Sequence, residues 1–353
     1  ADSIKHENRY NIACSYSLLG EIELAFHTLE QELKDGYVDF NHIRRDIDFS
    51  PIRGERLDSL LASYETKVQG RIRAFNGEET SLSCNERVVE IPFSKAGGVT
   101  KVDCTINELP LSFIFDTGAS TSLISYNIAK EIGAEIIGNS MYVGGATGGG
   151  DLQRAFIKEM NIGAISYKNV LTFVDSNPTP EEVPISVDAV LGMDFIKRLG
   201  EVQIDMLNKT LIVPSKKTAL PEYGSNIHLD QNVLVVEVFD NNEHRMTFTL
   251  DTGHSGADLS ELWYSKNAGT LSDLPTETQN SWGHGGKLCR EIVRVDEYTL
   301  TIGERLITLR DIPAFTPTEN IVTSQRYGNL GMGLLKRCEK VTINFDAMFI
   351  KIE

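Results

Sequence analysis

What this chain lacks narrows its class first. No stretch of its 353 residues approaches the roughly 20 consecutive apolar residues that cross a bilayer as a helix. Basic residues are scarce: 34 Lys and Arg stand against 50 Asp and Glu, a formal net charge of −16. That balance works against a nucleic-acid partner, whose binding depends on Lys and Arg neutralising phosphates. The acidity reads most simply as a solubility property. Cysteines number five, at positions 14, 84, 104, 289 and 338, with no C-x-x-C pair among them. A zinc cluster or a thioredoxin-like centre is therefore not expected, and an odd number cannot all pair within the chain. Most read as small buried hydrophobes. His254, His284 and Cys289 lack ligand spacing within one element, so neither a metal nor another cofactor is expected.

What is present is ordinary for a globular chain, 41% apolar and 24% charged, with length for two or three domains. Residues 1–72 read as a small all-α domain. In "RYNIACSYSLLGEIELAFHTLEQELKDGY", Ile12, Ala13, Tyr16 and Leu19, then Ala25, Phe26, Leu29 and Leu33, recur at helical spacing. Gly20 between them breaks the run as a turn joining two antiparallel helices would. "RGERLDSLLASYETKVQGRI" adds at least one more helix. The hairpin resembles a tetratricopeptide unit, and "DFNHIRRDIDFSPIRG" is similar to the tail that closes such arrays in bacterial proteins; the family's Trp-Leu-Gly opening is absent. One such unit cannot bury its own apolar face. It is expected to dock on the rest of the chain or on further units, and it is a candidate site for a protein partner.

From about residue 86 the texture changes to short β-rich segments, "RVVEIPF", "VTKVDCTI" and "LSFIFD", bounded by Gly, Pro and Asn. It persists to the end of the chain, apart from short helical stretches such as "SYNIAKEIG". "PSKKTALPEYGSN" carries two Pro and a Gly between two such halves and reads as a linker. The division expected is a first β lobe over 73–214, a linker over 215–224 and a second β lobe over 225–353. The halves read as copies of one unit. "VLGMDFIKRLGEVQID" from Val190 matches "NLGMGLLKRCEKVTIN" from Asn329, and "FIFDTGAS" from Phe113 matches "FTLDTGHSG" from Phe248.

In both copies an apolar run, the mark of a buried strand, delivers an Asp into a tight Thr-Gly turn. A carboxylate at the end of a buried strand is costly to ionise, and the cost has a use if the two meet. A single Asp-Thr-Gly is weak evidence of anything but a turn. Two copies, each followed by Leu-Gly (Leu191-Gly192 and Leu330-Gly331), are poorly explained by chance. Residues 86–353 resemble the aspartic peptidases, specifically two retropepsin-like halves fused in one chain as the two lobes of pepsin-like enzymes are. The resemblance implies a mostly β, bilobal acid-protease fold with Asp116 and Asp251 facing each other as the catalytic pair. It implies that Thr117 and Thr252 lock the two loops by hydrogen bonds, that Gly118 and Gly253 let the backbone approach the carboxylates, and that Ser120 and Ser255 support the loops. The Leu-Gly pairs would pack behind.

The Gly-rich "MYVGGATGGG", with Gly144, Gly145, Thr147 and Gly148, resembles a flap that closes over an extended peptide. In the second half "SWGHGG" offers Trp282, Gly283 and Gly285 for the same task. His254 departs from the family's usual small residue and reads as pointing outward to bond a neighbour. Asp194 has Gly333 at its place in the second half and reads as inessential. The function implied is an aspartic endopeptidase acting on a peptide or protein, with its catalytic unit in one monomer. The alternative is a non-catalytic peptide-binding scaffold with a protease-like groove. The resemblance and the Ala1 start suggest an exported protein of a bacterial periplasm.

Overall fold

The computed structural model describes residues 9–75, 80–145, 148–175, 188–271, 273–283, 286–317 and 325–353. The helical periodicity becomes an antiparallel pair, Arg9–Leu18 and Ile22–Lys34, joined at Gly20, whose φ of 76° suits a residue without a Cβ. Helices Phe40–Arg45, Glu55–Glu65 and Gln69–Phe75 follow, the last running across position 72. Their core is Ala13, Ala25, Phe26, Leu29, Leu33, Phe40, Phe49 and Leu61, all buried. Asp39 caps Phe40–Arg45 by accepting from His42 N at 3.0 Å. The helical core also takes in Ile137, with Phe156 and Leu171 packed against it, so the helical region as a whole packs on the first lobe. Leu18, Leu19 and Ile22, at the hairpin tip, remain exposed.

Strands dominate from Val88 onward, and the two lobes follow one plan. In the first, Leu109–Phe115 runs parallel to Ala189–Leu191, with Ile114 opposite Val190 and Phe115 opposite Leu191. In the second, Arg245–Leu250 runs parallel to Gly328–Leu330, with Thr249 opposite Asn329 and Leu250 opposite Leu330. Each short strand pairs on its other side, antiparallel, with the strand after the Asp-Thr-Gly, Leu123–Ser125 or Ala257–Leu259. Alternation sorts the side chains. Phe113 and Phe115 enter the main core, while Ile114 faces the other way into a separate cluster with Val99 and Val190. A short helix then opens at each Leu-Gly, Met193–Ile196 and Met332–Leu335.

The lobes are joined by backbone as well as by side chains. Strand Glu201–Asp205 pairs antiparallel with Lys340–Asn344, Glu201 opposite Asn344 and Asp205 opposite Lys340. The sheet therefore continues from one lobe into the other. The segment 215–224 follows this seam: Thr218 N donates to Glu201 Oε2 at 2.7 Å and Tyr223 Oη to Ile350 O at 2.8 Å.

Candidate active site

Each Asp emerges from the end of its parallel strand with its own backbone still held by the Leu of the Leu-Gly pair. Asp116 N donates to Leu191 O at 3.0 Å, and Asp251 N to Leu330 O at 2.9 Å. The chain then turns, and the turn is what brings the lobes into register. Thr117 and Thr252, both buried, exchange bonds across the interface. Thr117 N donates to Thr252 Oγ1 at 3.0 Å and Thr252 N to Thr117 Oγ1 at 3.1 Å. Each hydroxyl passes its own hydrogen to the opposite strand, Thr117 Oγ1 to Leu250 O at 2.6 Å and Thr252 Oγ1 to Phe115 O at 2.5 Å. The buried threonine N–H and hydroxyl of each loop are thus satisfied by the other.

The glycines follow from the same closeness. A Cβ on Gly118 would lie 2.3 Å from Asp251 Cγ, and one on Gly253 would lie 2.3 Å from Asp116 Cγ. Each carboxyl is packed over the backbone of the opposite loop. Gly118→Ala is expected to cost about 2 kcal/mol by overpacking, read as a lower thermal midpoint; an unshifted midpoint would mean the loops stand farther apart. Behind the loops, Gly192 and Gly331 have no room for a side chain either. A Cβ there would come within 2.5 Å of Thr121 C and 2.3 Å of His254 O.

Asp116 and Asp251 are half-buried. Asp116 Oδ1 accepts from Gly118 N at 2.8 Å and Ala119 N at 3.1 Å; Asp251 Oδ1 accepts from Gly253 N at 2.9 Å. Burial holds the Asp116 carboxyl well above the usual carboxylate range. The charge of Asp251 and a hydrogen bond shared with it add to the effect, and the two backbone N–H groups only partly oppose it. Two carboxyls in contact that share one proton can take a proton and give one at the same centre.

Ser120 and Ser255, also singled out in the sequence, each meet the opposite lobe. Ser120 O accepts from Asn232 Nδ2, and Ser255 abuts Gly98, where a Cβ would approach Ser255 Cβ to 2.7 Å. Each Asp-Thr-Gly loop is thus braced by a hairpin turn of the other lobe. The Gly-rich segments are antiparallel hairpins. Glu135–Gly145 pairs with Gly148–Ile162, ending on Gly144–Gly149 and Gly145–Gly148. Thr276–Gly283 pairs with Gly286–Ile302, ending on Gly283–Gly286. Thr147 and Gly285 lie outside the described residues. Trp282 is partly exposed near its tip, with Lys287 Nζ 5.9 Å from its ring centroid. His254 is not turned fully outward: its ring is half-buried with Nε2 3.3 Å from Asp258 Oδ2.

Three polar side chains enter the site region without having been expected there. Asp194 accepts from Ser122 N at 2.9 Å, Ser122 Oγ at 2.7 Å and Phe195 N at 3.0 Å, and Ser122 Oγ in turn accepts from Gly192 N at 2.8 Å. This ties the loop after Asp116 to the Leu-Gly turn. In the second lobe Gly333 does the equivalent by bare proximity: its N donates to Gly256 O at 2.9 Å, and a Cβ would lie 2.8 Å from Gly256 C. The third is Asn329, whose Nδ2 donates to Asp251 Oδ2 at 2.8 Å. The signal for it is the single mismatch between "VLGM" and "NLGM" when the halves are overlaid. Among the described residues one group has metal-ligand closeness, Cys14 with Asp46 and Asp48 in the helical region. Asp46 there is engaged by Tyr10 Oη at 2.7 Å and by Asp48 N at 3.0 Å, and burial pushes the Cys14 thiol up to about 12.

Comparison with known proteins bears on the fold. A family model described as "gag-polyprotein putative aspartyl protease" matches residues 102–198, within the first lobe. The fold is similar to that of an aspartic proteinase from Irpex lacteus, at a TM-score of 0.50 and 8% identity, over 75% of this chain and 96% of that one. Part of the chain also resembles a chloroplastic protein of Arabidopsis thaliana, at 40% identity over 57 residues. That match spans 16% of this chain and 17% of the plant protein. The chain is mostly β, with an aspartic-proteinase fold preceded by helices, and among the described residues no helix is long and apolar enough to cross a membrane.

Proposed function

We propose that this chain is an aspartic endopeptidase whose catalytic pair, Asp116 and Asp251, is complete within one polypeptide. The observation that carries the reading is the interlocked pair of loops: each carboxyl lies against the glycine of the opposite turn, with threonines cross-bonded beneath. In this reading the pair holds one proton and one negative charge. The ionised member takes a proton from a water set between the two, and the protonated member hydrogen-bonds the scissile carbonyl. Attack gives a tetrahedral carbon; a carboxyl then protonates the leaving nitrogen and the C–N bond breaks. Neither a nucleophilic side chain nor a covalent intermediate takes part. The substrate is an extended stretch of peptide or protein, covered by the hairpin tips near Gly144–Gly148 and Trp282.

The test is digestion of a peptide library from about pH 3 to about pH 8, where general acid–base pairs of this kind titrate, with and without a statine-type transition-state mimic. Cleavage is expected on the acid side, blocked by the mimic, and fading with rising pH. The sign follows from the pair: the raised Asp116 range is where its shared proton is finally lost, and with it the acid. A library left intact at every pH, or cleavage indifferent to the mimic, would overturn the reading.

A further inference from the structure

The two sides of the pair are not equivalent, and the difference lies two residues before each Asp. In the first lobe the row across three neighbouring strands is Ile114, Val190 and Leu123. With Val99 and Ala119 these form a small apolar cluster apart from the main core. The corresponding row in the second lobe is Thr249, Asn329 and Asp258. Thr249 Oγ1 accepts from Arg326 Nη1 at 3.0 Å, Asp258 Oδ2 lies 3.3 Å from His254 Nε2, and Asn329 Nδ2 reaches Asp251. Val190 stands where Asn329 does and has nothing to donate.

The donors are also distributed differently over the oxygens. Both N–H groups at Asp116 land on Oδ1. Asp251 receives one on each oxygen, from Gly253 N on Oδ1 and from Asn329 Nδ2 on Oδ2. A proton placed on Asp251 would sit on an oxygen already accepting an N–H, which favours the charged form there. Asp116 keeps one oxygen that no N–H reaches among the described residues.

We propose that Asn329 is a positioning residue: its side-chain amide keeps the single proton of the pair on Asp116 and leaves Asp251 as the ionised member that takes the proton of the attacking water. The assignment rests on the peptidase reading and deepens it. Burial and the neighbouring carboxylate bias Asp116 the same way. On the second-lobe side the charged groups among the described residues include Asp258, with His254 and Arg290 acting on it, and Arg326 against Thr249. Asp194, behind the first loop, has its carboxylate taken up by Ser122 and Phe195 N. Besides Asp116, Asn329 bonds the Asp251 carboxylate through its side chain.

Carboxyl-carbon NMR of the full chain, with the two signals assigned through Asp116→Asn and Asp251→Asn, reads the proton directly. Where the pair holds one proton, Asp116 is expected at the protonated position and Asp251 at the ionised one. Asn329→Val, which copies the first lobe, is expected to draw the two signals together. It should also move the acid limb of kcat/KM upward by about one pH unit, the weight of one hydrogen bond to a charge. Asn329→Ser, which keeps a short donor, is expected to restore part of both. The assignment is overturned if Asp251 is the protonated member in the parent, or if Asn329→Val changes neither the signals nor the limb. Should Asn329→Val lose its fold by circular dichroism, Val190→Asn puts a donor beside Asp116 instead; an unchanged difference between the signals then overturns the assignment. Two carboxyls titrating independently, with cleavage surviving Asp116→Asn, would instead sink the peptidase reading itself.

Discussion

Asp116→Asn and Asp251→Asn are each expected to lower kcat/KM for peptide cleavage on the order of ten-thousand-fold, the upper range for losing a general acid or base. An amide keeps the shape of the group and its carbonyl oxygen, so the backbone bonds to Oδ1 have a partner in both variants. What it cannot do is gain and lose a proton. A pair with one amide has either no base for the water or no acid for the leaving nitrogen. Stability should move the other way. Asp116 holds its proton more tightly folded than unfolded, so its ionisation favours the unfolded chain. That penalty is full above its raised range, shrinks as pH falls, and vanishes below the unfolded value. Asp116→Asn is therefore expected to melt above the parent at neutral pH, with the gap closing in acid. A variant that cleaves within tenfold of the parent, or one that melts lower at neutral pH, would contradict the shared-proton arrangement.

The second large effect lies at the seam between the lobes. Glu201 is fully buried, and its carboxylate accepts from Thr218 N at 2.7 Å, Thr218 Oγ1 at 2.8 Å, Asn344 Nδ2 at 2.8 Å and Gln203 Nε2 at 2.9 Å. Burial alone would raise this carboxyl; the four donors outweigh it and hold it below the usual range. Glu201→Leu removes the acceptor and strands those donors at the seam, buried Asn344 among them, at an expected cost of about 3–5 kcal/mol summed over the lost bonds. Glu201→Gln, with one acceptor retained, is expected to lose roughly half of that. Chemical denaturation at neutral pH measures both. The lowered range also sets a direction. The stabilisation is complete above the unfolded Glu value and is lost only as pH falls through the lower folded one. The seam thus holds in moderately acidic solution, where the Asp pair is expected to work. A Glu201→Leu chain as stable as the parent would remove this account of the seam.

Local pattern carried much of the architecture into view. Helical spacing on either side of Gly20 became two antiparallel helices, and the apolar runs leading to Phe115 and Leu250 became strands that end on the Asp residues. The pairing of Glu201–Asp205 with Lys340–Asn344 had no such signature, because register between strands so far apart in sequence is set by the lobes' packing rather than by either strand. At the site, the repeated triplets marked the loops, while the groups behind them stayed hidden. Asp194 looked dispensable because Gly333 replaces it. The structure instead shows two solutions to one problem, a bonded carboxylate in one lobe and a close backbone contact in the other. Asn329 stayed hidden for the opposite reason: a repeat draws attention to its matches, and the meaning of this side chain lies in its mismatch with Val190.

The strand pairing across the seam bears on what either half would do by itself. Severed from its neighbour, Glu201–Asp205 or Lys340–Asn344 would present a bare ladder of amides and carbonyls to solvent, an open template for any other extended chain. A half-length fragment is therefore expected to clump or to zip onto a sister fragment rather than stay dispersed. A nick within 215–224 that left both pieces in place would not separate them.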